Sequence, residues 1–292
     1  MNFIRDISTK ILEWILYSNI FIALGAAALV WETEMLLGIS AGIDTVSTLV
    51  FFAALFLYGV HRILSIRRIP DRNRNHHLRW AKKYQFAIFI LTLLGGGMVA
   101  SSIFNLTFPA FLLFIPLGAV SILYELPVIR HQGIYKRLRD IGILKIVWIT
   151  IVWSTITVLI PAIQYGEIVN GIEVISVFLM RVALIFSVCL SFDMRDVRYD
   201  EEAGLKTIPI LYGRSKTIKI IFWCFVFYFF IAVLQFSTFQ NFDIGPLAAA
   251  AVTALLSYRL IVAATIIDDW YYYPLFIDGI LILNFLLLQL DK

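Results

Sequence analysis

Residues 188–213 read VCLSFDMRDVRYDEEAGLKTIPILYG. An apolar helical run ends here in a dense cluster of charge. Asp193, Asp196 and Asp200 stand at i, i+3 and i+7. At about 100° per residue their carboxylates share one helical face. Three acids on one stripe repel unless a divalent ion, a basic partner or water neutralises them, and carboxylate oxygens are ligands that Mg²⁺ prefers. Gly204 follows as a permissive turn residue, then Lys206 and Thr207, with Pro209 and Gly213 as further punctuation. The same residues would also suit a solvated connection between two membrane helices, and spacing alone leaves both readings open.

Working outward, composition sets the class. Hydrophobic residues make up 61% of the 292 and charged residues only 15%, with a mean hydropathy of +0.87. A soluble domain needs far less apolar surface, so the chain reads as an integral membrane protein. Cys189 and Cys224 both fall in apolar runs, which excludes a disulfide framework or a cysteine-rich metal site. The first apolar segment lacks a small-residue cleavage site after it and is expected to be a retained helix. The net charge of +4 belongs to particular loops and gives no sign of nucleic acid binding.

A membrane span needs roughly 17 to 25 mostly apolar residues. Nine such spans are expected, at about 11–31, 45–65, 84–104, 108–124, 143–162, 172–192, 218–236, 246–267 and 273–290. No barrel-type alternation is visible, so the fold class is an all-α membrane protein, a nine-transmembrane-helix bundle forming a single domain over 1–292. Two connections, Arg67 to Lys83 and Ile129 to Asp140, are strongly basic, whereas Glu32 to Asp44 and Gln164 to Glu173 carry acids without Lys or Arg. The positive-inside rule then makes the loops at about 66–83, 126–142 and 193–217 cytoplasmic, with the amino terminus inside and the carboxyl terminus outside. A bacterial inner membrane is the expected location.

Polar groups inside spans are costly and usually face the bundle interior. Tyr58, His61, Arg62 and Ser65 form one stripe near the end of the second span. They read either as a snorkelling Arg beside a satisfied His or as an anion site. Thr150, Ser154 and Thr157 on the fifth span read as helix-packing glue, as do Asn19, Gln235 and Asn284. Arg259 and Asp278 flank the hairpin between the last two spans at similar depth and are expected to pair.

The stretch DMRDVRYDEEAGLKTIPILYG (Asp193 to Gly213) resembles the second aspartate-rich motif of the UbiA-type intramembrane prenyltransferases. LYELPVIR (Leu123 to Arg130) is similar to that family's Tyr-x-x-Pro turn with a following basic residue. The resemblance implies a nine-helix bundle that binds a prenyl diphosphate through Mg²⁺ and basic side chains. It also implies ionisation of the allylic C–O bond and capture of the carbocation by a lipid-soluble acceptor that it does not identify. Mg²⁺ would neutralise the departing diphosphate as charge develops. On this sequence the resemblance implies Asp196 and Asp200 as catalytic metal ligands and Asp193 as an auxiliary ligand. It further implies Lys206 and Arg130 as diphosphate contacts, and leaves Arg195 and Arg198 off the aspartate face for interface or packing.

The family's first acidic motif should fall at Tyr58 to Ile66, which here reads YGVHRILSI and holds no acid. His61 and Arg62 stand in its place as candidate diphosphate contacts, so fewer Mg²⁺ ions than usual are expected. Either a prenyltransferase in which fixed positive charge replaces one metal ion, or a homologue with altered or lost chemistry that still binds isoprenoid diphosphates, is compatible with this departure. A transporter is the reading from a different class; against it, no repeat of paired broken helices is evident.

Overall fold

The computed structural model describes residues 2–68, 76–126, 129–131, 134–137, 140–166, 170–239, 244–267 and 269–290. Its helices are α1 (Asn2–Tyr17), α2 (Ile20–Leu36), α3 (Thr45–Arg68), α4 (His76–Lys83), α5 (Gln85–Ile103), α6 (Phe108–Glu125), α7 (Leu144–Ser154), α8 (Ile160–Tyr165), α9 (Gly171–Glu202), α10 (Ile208–Phe239), α11 (Ile244–Ala264) and α12 (Ile280–Gln289). Single π-type turns at Thr155–Leu159 and Tyr273–Ile277 join α7 to α8 and lead into α12. A short antiparallel hairpin pairs Ile129–His131 with Ile134–Lys136.

Among the described residues, six helical segments are long and apolar enough to cross a membrane, and a seventh is Thr9–Tyr17 of α1 with α2, bent by 61°. Two shorter apolar helices, Phe108–Tyr124 and Tyr273–Gln289, lie where the fourth and ninth spans were expected. The multi-pass helical class therefore stands, while the count of nine is not established. Large apolar side chains such as Phe86, Leu93, Trp223 and Leu255 are exposed on the outside, as hydrocarbon contact requires.

The interior formed by the described residues has three apolar clusters. The largest joins α9 to α10, α11, α12, α2 and α7 around Leu184, Leu190, Ile221 and Ile277; a second joins α2, α3 and α6 around Val30, Leu49 and Phe114. The third gathers Leu16, Tyr17, Ile66, Trp80 and Ile88, so the basic segment after α3 is no simple loop: its α4 docks on α1, α3 and α5.

α9 is the element that places the site. Its first turn is capped by the Asn170 side chain, which accepts from the backbone N–H of Ile172 at 2.9 Å. It then continues past the apolar run through the whole aspartate cluster to Glu202. Gly204, at φ +69°, closes it: the Leu205 N–H reaches back to the Asp200 carbonyl at 2.9 Å and that of Gly204 to Glu201 at 3.0 Å. That is a glycine C-terminal cap of the Schellman kind, which a side chain at Gly204 would strain. α10 starts at Ile208 and is kinked at Gly213.

Buried deep in the bundle is an ion pair that the sequence reading missed. Arg181 on α9 is 3.1 Å from Glu32 on α2, both within the interior. The expected connection starts at Glu32, but this residue lies inside α2 and is 2% exposed. Asn284 donates to it at 2.7 Å and accepts from Thr253 at 3.0 Å, while Arg181 donates to Thr33 at 3.2 Å. Arg259, by contrast, is exposed on α11 and has no ion pair to Asp278 among the described residues. The expected Arg259–Asp278 pair is not formed: Asp278 is buried within the electrostatic reach of Arg195 and Arg62.

Candidate functional site

Asp193 and Asp200 keep the shared face their spacing predicts, and their partner comes from another helix. Asp193 and Asp200, 1% and 7% exposed, both face Lys145 in the first turn of α7. The Lys145 Nζ lies 2.8 Å from Asp193 Oδ1 and 3.5 Å from Asp200 Oδ2, and Asp196 is within its electrostatic reach. The backbone fixes this placement. Gly142 sits so close to the Lys206 carbonyl that a Cβ there would be 2.7 Å from the oxygen, so only glycine lets the start of α7 press against the segment that follows α9.

Asp196 turns to its neighbour instead. Arg195 grips it with two hydrogen bonds, Nε to Oδ1 at 2.7 Å and Nη2 to Oδ2 at 3.0 Å. The guanidinium stacks 4.9 Å from the ring centres of both Phe192 and Tyr273, and the Tyr273 hydroxyl donates to the Ser191 carbonyl at 3.3 Å. Arg195 was assigned to packing because it lies off the aspartate face; its aromatic cradle brings it into the site. Arg198 is exposed and pairs loosely with Glu202 at 3.4 Å, as its outward position suggests.

Opposite stands a basic wall. Arg62 on α3 donates from Nη2 to the Asn19 side-chain carbonyl at 2.8 Å. Asn19 takes φ 72° at the α1–α2 break, an uncommon conformation for a residue other than glycine. His61 lies 3.4 Å from Ser65. His77, on α4 outside the spans, packs edge-on to Tyr17. Burial, then Arg62, Arg195, His61 and His76, push its imidazole well below the usual histidine range, so it is neutral at pH 7. Asp278 lies between the fields of Arg195 and Arg62. Arg195 on the aspartate helix and Arg62 on α3 thus share His77 and Asp278 as electrostatic neighbours.

Not every expected contact joins them. Lys206 is exposed, and no ion pair among the described residues includes it. The side chain of Arg130 lies outside the described residues, although its backbone pairs with Tyr135 in the hairpin. Missed were Lys145, Arg195, Tyr273 and His77. A lysine at the second position of an apolar span was itself a signal, since such a charge needs a partner.

The resemblance implies Mg²⁺ at the aspartates, and the residues present do not fit the cage it implies. No three His, Cys, Asp or Glu side chains converge among the described residues. Asp193 and Asp200 are engaged by Lys145, Asp196 is held by Arg195, and the facing helix offers His61 and Arg62 where further carboxylates would be needed.

Residues 82–273 match a family model described as the UbiA prenyltransferase family. A search of curated proteins finds no match. Among solved structures, the fold is similar to a UbiA homolog from Archaeoglobus fulgidus bound to DMAPP and Mg²⁺, at 12% identity over 94% of this chain and 98% of that one, with a TM-score of 0.61. An apo UbiA homolog from Aeropyrum pernix K1 is similar at 16% identity over 96% of each chain, TM-score 0.54. A digeranylgeranylglyceryl phosphate synthase structure is similar at 16% identity over 97% of this chain and 100% of that one, TM-score 0.56. Identities this low speak to the fold.

Proposed function

This chain belongs to the UbiA prenyltransferase family, and from that membership we propose that it binds a prenyl diphosphate at the aspartate end of its bundle and transfers the prenyl group to a lipid-soluble acceptor. The observation that carries the reading is that Arg62 and Arg195, the latter held by Asp196 of the family's aspartate motif, both act electrostatically on Asp278 and His77. A guanidinium binds phosphate oxygens through a planar fork and stays charged at any relevant pH. Arg62 and Arg195 are assigned to the diphosphate, with His61, Arg130 and Lys206 as further contacts. Asp196 then positions Arg195, and Asp193 with Asp200 positions Lys145. When the allylic C–O bond breaks, its electron pair goes to the diphosphate, and these fixed cations stabilise the charge as it develops. The acceptor's electron pair forms the new bond to carbon, and the acceptor's proton leaves to water or a neighbouring base. The site faces the cytoplasm of a bacterial inner membrane.

A second reading, a homologue that binds the diphosphate without turning it over, is favoured by the acid-free segment Tyr58 to Ile66. Equilibrium binding of labelled geranyl diphosphate to purified protein, followed by assay of diphosphate release with a total lipid extract as acceptor source, separates the two. Binding with release supports transfer. Binding without release assigns the second reading, and absence of saturable binding overturns both.

A further inference from the structure

Lys145 has a property that an ordinary surface lysine lacks: its ammonium lies between two acids of another helix, Asp193 and Asp200. It is 2.8 Å from Asp193 and 3.5 Å from Asp200, its side chain is 16% exposed, and Asp193 is 1% exposed. A Mg²⁺ ion demands oxygens at about 2.0–2.1 Å in a near-octahedral shell. An ammonium already 2.8 Å from Asp193 competes for that same space and charge. Lysine also suits the role better than arginine, because its ammonium is a compact point charge with three donors.

We infer that Lys145 is a built-in counterion that takes the place of a metal ion on the aspartate helix, so that Asp193 and Asp200 bind this lysine and do not recruit a divalent cation. Its ammonium lies within ion-pair distance of both carboxylates. This deepens the proposed function, since a tethered cation at the family's aspartate motif would contact a prenyl diphosphate directly. The placement is enforced from two sides: Gly142 presses the start of α7 onto the Lys206 carbonyl, and the α9 cap at Gly204 fixes the turn that carries Asp200.

The test reads metal and involves no prenyl diphosphate, so its failure is distinguishable from failure of the transfer reading. Mn²⁺ binding to purified protein is measured by electron paramagnetic resonance for the natural chain, Asp193→Asn, Lys145→Arg, Lys145→Ala and the double variant Lys145→Ala/Asp193→Asn. Expected are equal, weak binding by the natural chain, Asp193→Asn and Lys145→Arg, a gain of at least about tenfold in Lys145→Ala, and loss of that gain in the double variant. Tight binding by the natural chain that Asp193→Asn removes would overturn the inference, and that arm stands even if Lys145→Ala does not fold. A folded Lys145→Ala protein, judged by its circular dichroism, with no gain in Mn²⁺ binding would overturn it as well.

Discussion

Asn19 and Arg62 are coupled at the scale of single side chains. The left-handed backbone of Asn19 turns α1 into α2, and the same residue's carbonyl oxygen receives the Arg62 guanidinium at 2.8 Å. An Asn19→Gly variant removes the backbone cost but frees Arg62, so the fold should be kept while diphosphate affinity falls. Arg62→Ala should weaken binding of a prenyl diphosphate by roughly ten- to a hundredfold, the effect of losing a charge-assisted contact of about 1.5–3 kcal/mol, and leave a neutral prenyl alcohol unaffected. Calorimetric titration with both ligands checks this; equal losses for both would point to a packing role. His77 gives a pH dependence. Its folded pKa is depressed by burial and by Arg62 and Arg195. The neutral form is therefore favoured by folding, and its contribution is present above about 6.5, the ordinary unfolded value, and lost as pH falls toward the folded one. Acid destabilisation in thermal unfolding should be smaller in His77→Gln than in the natural chain.

At the scale of elements, α9 carries two polar levels. Asp193 lies twelve residues beyond Arg181, which at 1.5 Å per residue separates the site from the Arg181–Glu32 pair by about 18 Å. Breaking a buried pair leaves an unpaired charge and costs about 3–5 kcal/mol, whereas replacing both partners by apolar groups is often close to neutral. Arg181→Met alone should therefore lower thermal stability in detergent markedly. Arg181→Met with Glu32→Leu should recover a good part of the loss, less the share owed to Asn284, whose amide would lose its acceptor. A double variant no more stable than the worse single one would mean that the network acts through something other than charge pairing.

Across the whole molecule, the segments that carry chemistry gather at one end. α4 reaches the site through His77, the start of α7 through Lys145, and the segment after α9 through the Gly142–Lys206 contact. The other end is tied by Gln164, which accepts from the Thr107 N–H at 2.8 Å and donates to the Asn105 carbonyl at 3.2 Å. With basic residues concentrated at the site end, that end should face the cytoplasm. Cysteine introduced at Arg79 or Arg137 should be shielded from an impermeant thiol reagent in intact cells, and cysteine at Glu167, outside the described residues, should react. Labelling at position 79 in intact cells would reverse the orientation.

Class, the positions of six of the expected spans and the shared face of Asp193 and Asp200 were legible in the sequence, because hydropathy and the helical period are local properties of consecutive residues. The glycine cap at Gly204 was legible for the same reason. What the tertiary structure alone decided is which charge meets which: Arg62 with Asn19, 43 positions apart, Asn284 with Glu32, 252 apart, and Lys145 with the aspartates. It also set Asp278 within the electrostatic reach of Arg195 and Arg62 and brought Arg195 onto Phe192 and Tyr273. The physical reason lies in the solvent. Lipid and bundle interior are equally apolar, so no hydrophobic stripe along a spanning helix marks the face that turns inward, and the rotation of each helix is set by packing with its neighbours.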